Sequence, residues 1–351
     1  MTTADESAKI SLSASDAGHS IEMGDGIIRP SDKPNAVQRQ MIARRYGMFI
    51  HFGINTFHDE EWTDGSMHPS SYTPMAIDTD QWAQTAQNGG MKYALLTAKH
   101  HDGFCLWDSA CTDYGVASSP NKTDVVAALA ESCRKSGIQL GLYYSLWDRH
   151  EPTYANDKQY VDYMLKQLTE LLTQYGHVCE LWLDGGWVKK REQWDIPAVY
   201  ALVKQLQPQC AVGVNWTIGL PGNPDAHEVL PDRQEEGFPI RYFPSDFRLG
   251  DPYLPADPDP KRFSHGDELF YLPFESTLCL NDKWFFNTGE TQVKSVKELA
   301  RLYQIATAQD NILIINSPPN RDGVMSERNA TRLNELAEHL GLQRTASVSQ
   351  T

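Results

Sequence analysis

The stretch Glu180-Leu181-Trp182-Leu183-Asp184-Gly185-Gly186-Trp187 carries the sharpest chemical signal in the chain. It reads as a short buried strand that ends on an acid, with two glycines and a tryptophan behind it. Burying an unpaired carboxylate costs on the order of several kcal/mol or pushes its pKa up, so Asp184 is expected to be either solvated or held for work. The glycines let another group approach the backbone closely, and tryptophans beside an acid offer a face to a sugar ring. The plainer alternative is a strand-end aspartate that starts a turn. Other unusual residues fall at similar places. His51 closes the apolar run that begins at Gly47, His100 and His101 follow Tyr93 to Ala98, and Tyr143 stands near the end of Ile138 to Ser145. Histidines, a tyrosine, tryptophans and a carboxylate suit a cradle for a polar ring with one apolar face. They make a poor metal site, since the first strand has no His-x-His, and no metal is expected. A nucleotide loop is absent, as is a GxSxG elbow, so no cofactor is expected. The natural candidate is hydrolysis of a glycosidic bond, which needs two carboxyl groups flanking that bond.

The elements that must hold these residues follow from the apolar pattern. Strands are expected over 47–53, 93–98, 138–145, 180–184, 211–216 and 311–316. Helices are expected over 80–88, 124–136, 160–175, 196–206, 293–308 and 327–340. Between 218 and 274 the pattern dissolves into Pro, Gly and Asp, with short strands expected at 241–243 and 269–271. Short, continuously apolar strands alternating with helices imply a parallel sheet covered on both faces. The fold class is therefore α/β, a (β/α)8-like TIM barrel irregular in its second half, with reactive residues just after the strands. His100 and His101, adjacent in an extended chain, are expected to point to opposite sides. The loop from Asn55 to Thr73, with Trp62, reads as an active-site loop. Residues 1–35 read as an N-terminal arm, 36–342 as the catalytic barrel, and 343–351 as a disordered tail.

With 351 residues, the length also allows two domains. Acidic residues number 46 against 31 basic ones, which argues against nucleic-acid or anionic-membrane partners and for a neutral substrate. No apolar run approaches a spanning helix. The first twenty residues lack the basic cluster and apolar core of a secretory signal, and the six cysteines stand singly, so a cytoplasmic protein with reduced thiols is expected. A homo-oligomer is left open.

The segments GMFIHFG, TAKHHDGFCLWDS, GLYYSLWD and LWLDGGW, in this order, resemble the α-L-fucosidases of glycoside hydrolase family 29. PFESTLCLNDKWFFN and NILIINSPPNRDG look like that family's closing segments, so the resemblance runs from about Arg44 to Leu340. It implies a retaining, two-step reaction without metal, releasing α-L-fucose from a small fucosylated oligosaccharide or glycoside. Carried over residue by residue, Asp184 matches the nucleophile, while His51, Trp62, His100, His101, Tyr143 and Trp182 match substrate contacts. Nearby imidazole and phenol donors would lower the pKa of Asp184. An apolar side of the cradle would take the C5 methyl, worth ~1–3 kcal/mol of discrimination.

The acid/base is drawn from Glu228, Asp232, Glu235, Glu236 and Glu275. Glu235-Glu236-Gly237 and the segment holding Trp284 resemble the branch selective for α-1,3/1,4-linked fucose. Glu235 is therefore the first choice, Glu236 the second, and Glu275 and Trp284 are assigned to the substrate pocket. The two catalytic carboxyl groups should approach to about 5–5.5 Å. Many members of that family continue into a C-terminal β-sandwich, whereas this sequence stops after the last barrel helix. A catalytically inactive fucose-binding barrel and a metal-dependent barrel hydrolase remain as competing readings.

Overall fold

The computed structural model describes residues 29–226, 229–289 and 291–342. Most of the N-terminal arm, candidate Glu228 and the C-terminal tail therefore lie outside the described residues. Eight parallel strands form one sheet: β1 (Tyr46–Ile50), β2 (Tyr93–Lys99), β3 (Gln139–Ser145), β4 (Val178–Asp184), β5 (Ala211–Val214), β6 (Arg248–Leu249), β9 (Phe274–Cys279) and β10 (Ile312–Asn316). Their order is β5-β4-β3-β2-β1-β10-β9-β6. β7 (Arg262–His265) and β8 (Glu268–Tyr271) form a separate antiparallel hairpin. Around the sheet lie α1 (Ala36–Arg44), α2 (Thr79–Asn88), α3 (Val125–Ser136), α4 (Asp157–Gln174), α5 (Ile196–Leu206), α6 (Val296–Ala306) and α7 (Glu327–Leu340).

The helices begin where side chains can satisfy open N–H groups. Asp124, Asn156, Ser295 and Ser326 cap α3, α4, α6 and α7. The α1 helix, which the apolar pattern does not announce, carries a reciprocal capping pair between Asn35 and Gln38. Gln38 then reaches across to the carbonyls of Asp246 and Tyr271 at 2.8 and 2.6 Å, tying this helix to the irregular half.

Between β5 and β6 the sheet is closed by a few bonds rather than a ladder. Asp246 N donates to Val212 O at 2.7 Å, and Val212 N donates to Asp246 Oδ2 at 2.8 Å. The buried Lys204–Asp246 pair at 2.7 Å braces the same seam, and Arg248 pairs with Asp259 nearby. Charge pairs thus replace apolar periodicity here, which is why no strand is legible over Arg248–Leu249. Residues 241–243, expected as a strand, form a bend instead, next to isolated bridges from Ile240 to Ile218 and from Pro239 to Ser264.

Two apolar clusters divide the molecule. The larger lies between sheet and helices. The smaller fills the barrel with Phe49, Tyr93, Leu95, Tyr143, Trp182, Phe247 and Ile314. The register pairs Tyr143 with Trp182 and Ser145 with Asp184, so functional residues of neighbouring strands arrive at the same height.

Candidate active site

Asp184 is the last residue of β4 and is 7% exposed. Tyr143 donates its hydroxyl to Oδ2 at 2.7 Å, and Asn215, just past β5, donates Nδ2 to Oδ1 at 3.0 Å. Burial is the dominant influence and raises the pKa of Asp184, while the Asn215 and Tyr143 bonds pull it back. The expected lowering is therefore outweighed by desolvation. Gly185 turns the chain away with φ +75°; a Cβ there would stand 2.7 Å from Cβ of Trp147 and 3.3 Å from Cε1 of His101.

The three histidines are buried, and burial lowers the pKa of each, to about 3 for His51 and His101. They are neutral rings whose tautomers follow from their partners. Asn316 donates Nδ2 to the carbonyl of Trp284 at 2.8 Å, so its Oδ1 faces Nδ1 of His51 at 2.7 Å as an acceptor. Nδ1 of His51 carries the proton, and Nε2 is a bare acceptor. The Ser145 hydroxyl gives its single hydrogen to the carbonyl of Trp147 at 2.6 Å, so Nδ1 of His101, 2.6 Å away, must donate to it. Nε2 of His101 is thereby an acceptor too, 3.6 Å from Oδ2 of Asp184. A cluster of acceptors around a carboxylate calls for a ligand rich in hydroxyl donors.

His100 and His101 do not diverge as adjacent strand residues would. β2 ends at Lys99 after a register shift, and the chain turns at His101, so alternation no longer applies. Their rings lie 4.2 Å apart, with His100 stacked on Tyr143 and 5.7 Å from His51. Trp62, 48% exposed, meets His101 edge-on at 5.3 Å, and Trp147 lies 5.2 Å from the same ring. Trp284 packs 5.1 Å from His51, its backbone N–H held at 3.1 Å by the carboxylate of Glu61.

Glu275, assigned from the sequence to the substrate pocket, is fully buried beneath it. It accepts from Nε1 of Trp182 at 3.1 Å and from the Tyr93 hydroxyl at 2.6 Å. Its neighbours at this depth are Glu180 and Arg44, themselves 3.0 Å apart. Glu180 precedes Asp184 by four strand residues, or about 13 Å, so Glu275 supports the pocket through Trp182 instead of lining it. Burial first, and then the charge of Glu180, holds the Glu275 carboxyl well above its ordinary pKa.

Glu235 is exposed and bonds to none of the residues around Asp184. Glu236, also exposed, is ion-paired with Arg262 of β7, and Asp232 lies exposed in a short turn over Pro231–Arg233. Sequence reasoning missed Asp251, which follows β6. Asn215 donates to Asp251 through the same Nδ2 that serves Asp184, and its Oδ1 accepts from the backbone N–H of Trp216 at 3.0 Å, which fixes the amide's orientation. Burial and the Asp184 charge push Asp251 up to about 7. Asn215 and Asn316 share one readable signal, a polar residue just past or at the end of an apolar strand, whereas Asp251 follows Arg248–Leu249, which no apolar pattern marks. Among the described residues no group of three or more His, Cys, Asp or Glu side chains is placed to hold a metal ion.

The Alpha-L-fucosidase family model matches residues 30–344. Alpha-L-fucosidase 1 of Arabidopsis thaliana is 35% identical over 312 residues, covering 87% of this chain and 60% of the plant protein. A rice relative (Oryza sativa subsp. japonica) is 36% identical over 321 residues, with 87% of this chain and 58% of the rice protein covered. This chain thus spans about 60% of the length of those relatives. Among solved structures, a glycoside hydrolase 29 family member from an unknown rumen bacterium superposes with a TM-score of 0.70 at 28% identity, covering 88% of this chain and 57% of that one. Alpha-L-fucosidase isoenzyme 1 from Paenibacillus thiaminolyticus gives 0.67 at 26% identity, covering 90% and 80%.

Proposed function

We propose, since this chain belongs to the α-L-fucosidase family, that it is a retaining glycosidase releasing α-L-fucose from small fucosylated oligosaccharides. The observation that carries this reading is the Asp184 carboxylate, bonded by Tyr143 and Asn215 and faced by the acceptor nitrogen of His101. One oxygen of the carboxylate attacks the anomeric carbon, forming a glycosyl–enzyme ester as the bond to the leaving oxygen breaks. Glu235 protonates that oxygen, then takes a proton from the water that opens the ester and returns the carboxylate. Of the two sequence candidates, Glu235 is favoured because Glu236 is already engaged by Arg262. His51, His100 and His101 accept from the fucose hydroxyls, and Trp62, Trp182 and Trp284 supply apolar faces. The six free cysteines accord with a cytoplasmic setting, and among the described residues no helix is long and apolar enough to cross a membrane.

The test is hydrolysis of 4-nitrophenyl α-L-fucoside followed by NMR, with retained configuration in the first-formed fucose expected. A panel of Gln or Asn replacements at Asp184, Asp232, Glu235, Glu236 and Asp251 assigns the roles. Glu235→Gln should lower turnover of a poor-leaving-group fucoside by about 10²–10⁴-fold and spare the aryl fucoside more. No release of fucose by the wild-type protein from the aryl fucoside or from α-1,2, α-1,3, α-1,4 and α-1,6 oligosaccharides would favour the inactive fucose-binding barrel.

A further inference from the structure

A cavity of about 460 Å³ opens between the first turn of α5, the bend at residues 239–243 and the tip of the β7–β8 hairpin. Arg241 stands in its wall and is 4% exposed. Nothing among the described residues accepts a hydrogen bond from its side chain, and no carboxylate pairs with it. Its guanidinium lies 4.9 Å from the ring of Tyr242, a contact that supplies no counter-charge. Nε and Nη1 are closed off inside the protein, which leaves Nη2 as the nitrogen open to the cavity. Arginine does not shed its proton as a buried lysine can, so the charge persists in the wall. An isolated buried charge is costly, and a partner is the usual remedy. The one acid of the lining, Glu192, is exposed and already held by Nε of Arg191 at 3.0 Å. Asp225 approaches that same nitrogen at 3.8 Å. Among the described residues, therefore, none supplies the counter-charge of Arg241.

We propose that this cavity binds an anionic group, a carboxylate or sulfate, carried on a small organic molecule. The positive charge is delocalised over the three guanidinium nitrogens, so an anion bonded at Nη2 alone offsets the whole of it. Pro239, Ile240 and Phe243 make the neighbouring wall apolar, which suits the uncharged body of such a molecule better than a bare inorganic ion. Tyr242 puts its hydroxyl 2.7 Å from where a Cβ on Gly186 would stand, so the cavity backs through this ring onto the turn after Asp184. The anionic group belongs either to an acidic sugar attached to fucose or to a separate molecule. The first source rests on the fucosidase reading, and the second does not.

The experiment uses the full chain, with D-glucuronate and D-glucose titrated by saturation-transfer NMR in a buffer free of other organic anions. Arg241→Met removes the charge and keeps the stem, Arg241→Lys keeps the charge, and Pro197→Trp fills the cavity from an exposed lining position. Wild type and Arg241→Lys are expected to bind glucuronate in preference to glucose. Arg241→Met and Pro197→Trp should each weaken glucuronate binding about tenfold or more, the worth of one charge-assisted hydrogen bond. No binding of glucuronate by wild type, equal binding in wild type and Arg241→Met, or equal binding of glucose and glucuronate overturns the proposal. Should Arg241→Met fail to fold, Pro197→Trp carries the same comparison. Kinetics separate the two sources. If the anionic group is part of the substrate, Arg241→Met lowers kcat/KM about tenfold for a fucoside whose second sugar is glucuronic acid and leaves its neutral glucose counterpart unchanged. A separate anion leaves both rates unchanged while the NMR effect persists. Should the wild type cleave no fucoside at all, the functional reading fails and the glucuronate titration still decides the cavity.

Discussion

Replacing Asp251 by asparagine should make the protein more stable above neutral pH. Asp251 and Asp184 accept hydrogen bonds from one amide nitrogen of Asn215, so two carboxylates face each other across a single donor. Burial, then the charge of Asp184, raises Asp251 from 3.8 to about 7. Between about pH 4 and 7 the folded protein keeps a proton that the unfolded chain has released. Stability therefore falls as pH rises through this window, and above it the whole cost is present. At about 1.4 kcal/mol per pKa unit the ceiling is about 4 kcal/mol. Partial exposure of Asp251 and its shared titration with Asp184 bring the expectation to about 2 kcal/mol. Asparagine can still accept from Asn215 through its carbonyl oxygen, so the bond survives while the charge goes. Thermal unfolding at a fixed scan rate should show Asp251→Asn matching wild type near pH 4 and melting about 2–3 °C higher at pH 8. Identical melting curves at pH 8, or a less stable variant there, would refute the account of two carboxylates opposed across Asn215.

Three further outcomes follow from the same geometry. Glu275→Gln should cost under about 1 kcal/mol in denaturant unfolding at neutral pH, because a carboxyl held protonated is replaced by a neutral group of its shape. Glu275→Leu should cost about 3 kcal/mol or more by stranding Trp182 Nε1, the Tyr93 hydroxyl and Glu180; equal losses in the two variants would show that Glu275 is charged. Gly185→Ala should reduce kcat/KM by at least about tenfold, since its Cβ would press on Trp147 and His101 beside Asp184; wild-type kinetics would contradict this. Asp184→Asn should lose at least about 10³-fold in kcat, with folding intact by circular dichroism. Retained activity would remove Asp184 from the chemistry.

The first half of the barrel was legible because strands buried on both faces are continuously apolar and the helices between them are amphipathic. The strand from Tyr93 and the helix ending at Ser136 illustrate both patterns. The stretch from 218 to 274 was not, because its one barrel strand, β6, is held by Arg248, Asp246 and Lys204, whose burial is possible only once partners from distant segments meet them. The same contrast runs through the site. Asp184, His51 and Tyr143 stood out at strand ends, whereas Asp251 lies in a stretch of Pro, Gly and Asp where one acid looks like the next. Glu275, set in an apolar run and matched to a pocket position, is buried with its carboxyl on Trp182 Nε1 and the Tyr93 hydroxyl, a height along the barrel axis that resemblance of motifs does not carry.

By itself the amino-acid sequence determined the local chemistry: which residues bear carboxyl, imidazole and indole groups, and which apolar periods set the strands that end on them. Tertiary structure alone decided how those groups are charged and aimed. Desolvation, the Asn215 amide shared by two acids, and the proton positions on His51 and His101 all depend on neighbours brought from elsewhere in the chain. Solvation and hydrogen-bond partnership belong to a place in space, and an amino-acid order carries them only through the fold it makes.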